Sequence, residues 1–330
     1  VARLGVALVS VGLIVAACGT TTTSPTPAAS PSTAQDSATP SASTAPTATP
    51  DPTTVYAAIE AQVQTLRDLT AKTPVDPKLL DEVTLQKNIA ASFEKSNPAA
   101  IVAATQRLYE LLGLLPAGTS LHDLYLKLLG SQVAGYYDPE TRNLSVVSRS
   151  GGLGPTERVT FAHEFDHALQ DQNFGLGNLQ LDAIGQSDQA LAHLSVPEGD
   201  ATLVMGVWAQ QQLTGGELVQ LIKEANDPEQ AKILADMPDV LKQNLLFPYS
   251  YGLNMVTNAQ AKGGWAAVNA LYAKPPASTE QVLHPDKYTA GEAPIAVSFP
   301  KDLATRLGAG WSVAMADTLG EFELDLWLKV

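Results

Sequence analysis

The segment PTERVTFAHEFDHALQDQ, residues 155–172, constrains this chain more than any other stretch. It holds two of only five histidines, His163 and His167, placed four apart around Glu164. Pro155 suits the first turn of a helix, and Glu157 suits its positive N-terminal end. At about 100° per residue, Phe161, Ala162, Phe165, Ala168 and Leu169 fall on one arc, and His163, Glu164 and His167 on the opposite one. The spacing predicts a helix that packs on its phenylalanine side and turns both imidazoles toward a cleft. Histidines four apart on one helix face can share one metal ion, with the intervening glutamate beside the open coordination position. Packing of an apolar face does not explain two histidines gathered opposite it.

On these residues the chain resembles the zincin metallopeptidases. The metzincin subgroup is excluded, because its longer motif needs a glycine where Gln170 stands and a histidine where Asn173 stands. The resemblance then implies a third ligand from a downstream helix, as in the glutamate-zincin group, and Glu198 in SVPEGDAT is the candidate. A competing reading keeps Ser195 and Glu198 as a capping box with Pro197 in the first turn. His193 is the alternative third ligand. Asp200, two residues beyond Glu198, points away from it and is placed to orient a neighbour. The blocks AGYYDPETRNLSVVS, AHEFDHALQDQ, PEGDAT, PPASTEQVLHPDKY and DTLGEFEL are similar to those of largely uncharacterised bacterial HExxH proteins. In that group the helix around the glutamate is uninterrupted, whereas Pro197 stands beside it here.

The resemblance implies one Zn²⁺ ion held by His163, His167 and Glu198, a coordinated water, and Glu164 as general base for hydrolysis of a peptide or protein. It also implies an edge strand bordering the cleft, for which Leu144–Ser148 is placed. Tyr249, Tyr251 and His284 are candidates for an oxyanion or supporting donor, each with an ordinary packing or loop role as its alternative.

The N-terminus narrows the setting. Residues 1–17 carry Arg3 and then an apolar run of about 14 residues, too short to span a membrane but suited to a signal-peptide core. Cys18, the single cysteine, follows in VAAC and resembles the bacterial lipobox. That implies diacylation of Cys18 and a membrane-anchored protein on the extracytoplasmic face. Residues 19–54 are almost entirely Thr, Ser, Pro and Ala, a disordered tether.

Residues 55–130 read as helices, with Val55, Ile59, Val63, Leu66 and Leu69 at helical spacing and further amphipathic stretches at 77–95, 98–112 and 120–129. Two strand-like runs, 133–137 and 144–148, predict a β-hairpin. The expected fold is α+β and mainly helical: a zincin-like domain over 131–330 with a small antiparallel sheet or hairpin beside the motif helix. The last residues, 323–330, run in helical pattern without a stop signal, as a truncated chain would. With 34 acidic against 20 basic residues, a formal charge of -14 argues against a nucleic-acid partner. The alternative functional class is a catalytically inactive zinc-binding or substrate-binding lipoprotein of the cell envelope.

Overall fold

A computed structural model describes residues 51–148 and 152–329. Cys18, the signal segment and nearly all of the tether lie outside the described residues. The tether reading over-reached by a few positions, because Pro52 already opens helix α1 (Pro52–Arg67). Proline is tolerated at that first turn, where its missing N–H has no intrahelical partner to lose. Tyr56, Ile59 and Val63 line the buried side of α1, and they share a core with Phe161 and Phe165.

Residues 77–95 are not one helix. Pro77–Leu80 forms strand β1, and Asp81 then caps α2 (Glu82–Ser96) by accepting from the Thr84 N–H. An N-cap residue is itself non-helical, so Asp81 separates the two elements. Helices α3 (Ala99–Leu111) and α4 (Leu121–Gln132) follow, and Leu85, Phe93, Tyr109, Leu121 and Tyr125 join all three in a second core.

The hairpin forms where expected, as β2 (Gly135–Asp138) and β3 (Asn143–Val147), but the sheet has a third member. Its order is β1-β3-β2, with β1 parallel to β3 and β2 antiparallel to it. The sheet is therefore mixed rather than antiparallel, and β3 is its centre. This corrects the expectation for Leu144–Ser148: both of its edges are already paired, so it cannot accept an added strand there.

The remaining helices are α5 (Pro155–Phe174), α6 (Ser187–Gln212), α7 (Gly215–Ala225), α8 (Pro228–Ala235) and α9 (Asp239–Ala273). Four short α-helices follow among the described residues: α10 (Thr279–Leu283), α11 (Pro285–Ala290), α12 (Leu303–Leu307) and α13 (Glu321–Leu328). The architecture is thus mainly helical α+β, with one small sheet. Helix α9 breaks at Gly263 and Gly264, the latter at φ 60° and ψ -160°, a conformation open only to glycine.

Two other glycines set how closely α6 and α9 pack. A Cβ on Gly199 would lie 2.3 Å from the Gly252 carbonyl carbon, and one on Gly252 would lie 2.3 Å from the Ser195 carbonyl oxygen. The helices meet backbone to backbone at the turn that carries Glu198. Gly252→Ala should therefore push them apart and cost on the order of 3 kcal/mol in urea denaturation.

A second test concerns pH. Burial, with Asp188 nearby, pushes the Glu323 carboxyl up to about 7. A raised carboxylate pKa means the neutral acid fits the fold better than the ion, so stability falls as pH climbs from about 4.5 through 7. Glu323→Gln removes that ionisation while keeping an acceptor for the Gly320 N–H. Its melting temperature relative to wild type should rise between pH 4 and pH 8, by the equivalent of at most about 3 kcal/mol.

Candidate metal centre

Helix α5 is buried on every side over the motif, not only on its phenylalanine face. His163, Glu164, Asp166, His167 and Gln170 are all at 0% exposure. Among the described residues no open cleft faces the motif: the polar arc of α5 is roofed by α6. A polar helix face needs water or partners, and here it has partners.

Glu198 stands within α6, eleven residues after its start at Ser187. The capping-box reading of Ser195 is thereby overturned. Ser195 is mid-helix, and its hydroxyl donates to the Leu191 carbonyl instead. The first turn of α6 is satisfied from elsewhere, since the Ser187 N–H donates to Asp317 Oδ1 at 2.9 Å. The helix also runs without interruption through Pro197.

His163, His167 and Glu198 converge, with ligand atoms all within 4.8 Å of one another. Glu198 Oε2 lies 3.2 Å from His163 Nε2 and 3.4 Å from His167 Nε2. His167 Nε2 and both oxygens of Glu164 are buried without a hydrogen-bond partner. Two imidazole nitrogens and one carboxylate oxygen form a donor set suited to zinc and neighbouring transition metals rather than to calcium or magnesium. This group can hold a metal ion.

The charge balance is consistent with that fit. Glu164, Asp166, Glu198 and Asp200 are buried in the layer between α5 and α6, where Arg67 is the sole buried Lys or Arg among the described residues. Without a metal the two imidazoles divide the task. Burial and the charge on His167 lower His163 to about 4. Burial opposes a charge on His167 as well, but the carboxylates of Glu198 and Glu164 raise it to about 10. Burial also works against the Glu198 anion, yet the two histidines hold it down to about 2. Burial drives Glu164 up to about 8, with the Glu198 charge adding to the rise and His167 offsetting part of it.

Around this centre lie Asp200 and two residues whose roles the sequence does not show, Gln170 and Arg67. Gln170 accepts from His167 Nδ1 at 2.9 Å and donates to Asp166 Oδ2 at 2.6 Å and to the Pro197 carbonyl at 3.1 Å. Asp200 does orient a neighbour, though not a ligand: it receives Arg67 Nε at 2.9 Å, Arg67 Nη2 at 2.9 Å and the Tyr272 hydroxyl at 2.7 Å. Arg67 also donates to Asn269 and lies over the Trp265 ring, 4.5 Å from its centroid. Strand β2 lies flush on α5, because a Cβ on Gly135 would stand 2.7 Å from Thr160 and 3.4 Å from Glu164 Cγ.

Of the candidate donors, the fold brings only Tyr249 to the centre, with its ring 6.3 Å from that of His163. Tyr251 is 39% exposed and packs on Phe247. His284 is at the surface, 2.8 Å from Glu321. His193 is not a third ligand, since its Nδ1 contacts the Leu179 carbonyl at 2.5 Å, away from the cluster.

No protein-family model matches the chain, and no curated protein does. It is similar to a solved structure from Chloroflexus aurantiacus provisionally named a hydrolase with a novel fold. The two are 16% identical, with 72% of this chain and 89% of that one covered and a TM-score of 0.45. A likeness of that degree carries no argument about chemistry.

Metal binding should register as stability. Zinc at about a thousand times its dissociation constant should add about 4 kcal/mol. Glu198→Ala should abolish the zinc-dependent rise in melting temperature.

Proposed function

We propose that the protein is a zinc-dependent peptidase, anchored by lipid on Cys18 to the extracytoplasmic face of a membrane. The observation that carries this reading is Glu164. It is a carboxylate with no partner for either oxygen, buried beside two imidazoles and a second carboxylate. A purely structural metal site has no need of that fourth, unsatisfied group.

His163, His167 and Glu198 would hold the ion, which when bound supplies Lewis acidity toward the scissile carbonyl and acidifies a coordinated water. Glu164 takes a proton at its carboxylate and returns it to the leaving amine, a role that suits a group whose pKa burial has brought near neutrality. The low-dielectric surroundings strengthen every charge interaction in the site. Tyr249, whose ring lies near that of His163, would donate to charge developing on the carbonyl oxygen. Arg67 and Gln170 act on position rather than on reacting atoms.

A second reading keeps the metal but not the turnover, and the complete burial of the motif favours it. A motif that solvent does not reach gives substrate no path to the ion. In that case zinc staples α5 to α6 in a catalytically inactive envelope lipoprotein, and in the peptidase reading substrate entry requires the covering elements to separate. Glu164→Gln decides between them when zinc content and digestion of a broad peptide library are measured together. The peptidase reading expects zinc to stay at one ion per chain while hydrolysis falls by at least about 10³-fold, in line with loss of a general base and its charge. Hydrolysis that persists in the variant would sink the mechanism. A wild type that binds zinc yet cleaves nothing would establish the second reading.

A further inference from the structure

The orientation of one amide fixes the chemistry of one ligand. Gln170 is wholly buried between α5 and α6, and three polar atoms face its side chain. Two of them, Asp166 Oδ2 and the Pro197 carbonyl oxygen, are acceptors that an amide oxygen would repel. The NH₂ group must therefore face those two, which leaves Gln170 Oε1 toward His167 Nδ1. An oxygen there accepts, so His167 must carry a proton on Nδ1, and the lone pair of the neutral ring must be on Nε2. That nitrogen is the atom directed at Glu198. His163 has no such support, because its Nδ1 is buried without a partner.

We infer that Gln170 is the positioning residue of the metal centre, selecting the Nε2-ligating tautomer of His167 and tying it to the backbone one residue before Glu198. The inference rests on the proposed zinc ligation by His163, His167 and Glu198, and it concerns affinity rather than turnover. The Pro197 contact gives it a second consequence. One side chain sets the pose of a ligand on α5 and the place of a ligand-bearing turn on α6, so the spacing between the two is fixed at a single point. Partners of this kind, outside the ligands themselves, change metal affinity by about 10–100-fold when removed.

Two variants separate positioning from packing. Gln170→Met and Gln170→Glu both lose the donors to Asp166 and Pro197, so damage to the fold is common to them. Only Gln170→Glu keeps an oxygen that can accept from His167 Nδ1. Zinc affinity, measured by competition against a chelator, should fall about 10–100-fold in Gln170→Met. It should stay at least about tenfold tighter in Gln170→Glu than in Gln170→Met. Ring ¹⁵N spectra of the zinc-loaded wild type should show His167 with a slowly exchanging proton on Nδ1, lost or averaged in Gln170→Met. Equal zinc affinity in wild type and Gln170→Met, or equal weakness in the two variants, would overturn the inference while leaving the zinc ligands in place. The wild-type spectrum decides even where a variant fails to fold, since a proton on Nε2 in the loaded protein overturns it outright. A wild type that binds no zinc removes the proposed function and this inference together.

Discussion

Buried negative charge is the constraint around which the molecule is organised. Four carboxylates lie in one layer between α5 and α6, and a carboxylate taken out of water is costly unless a cation or several donors meet it. One arginine meets Asp200 in a two-pronged ion pair, with Tyr272 as a further donor, and Asp166 beside them accepts from Gln170. The other half, Glu164 and Glu198 with two histidines, has protons where a divalent ion would serve better.

The surroundings make sense as the means of holding that layer together. Gly199 and Gly252 allow α6 and α9 to touch through their backbones, which leaves no slack in the turn that holds Glu198. Gly135 does the same for β2 against α5. Larger residues at these points would have widened gaps on the scale of a methyl group. Ligand atoms that must lie within a few ångströms of one another cannot tolerate that.

How much of this was legible in the sequence depended on distance along the chain. The pairing of His163 with His167 was legible because four residues is a fixed angle on a helix. Glu198 was ambiguous, because Ser195-x-x-Glu198 looks the same whether a helix begins there or began earlier. What settles it is Asp317, which satisfies the first turn of α6 from 130 residues away. Gln170 did leave a local trace, three positions after His167 and on the same side of the helix. Arg67 left none, since an arginine ending an amphipathic helix looks identical in water and in a core. The burial of the motif was missed for a related reason: a polar arc facing another polar arc has the same pattern as one facing solvent. Strand β1, four residues long and paired with a strand more than 60 positions later, was too short to show its period.

The pairing of Arg67 with Asp200 also has a consequence in time. The two are 133 residues apart, and Asn269 and Tyr272 lie later still. During synthesis from the N-terminus, α1 exists for most of that interval with its guanidinium in water and nothing to fold against. The charge layer cannot be closed until the second half of the chain has emerged, and ordering a loop of that length makes closure a late, slow event. Any metal held by His163, His167 and Glu198 would be captured no earlier, because Glu198 arrives only two residues before Asp200. The candidate centre thus depends on contacts that join the first helix to the second half of the chain.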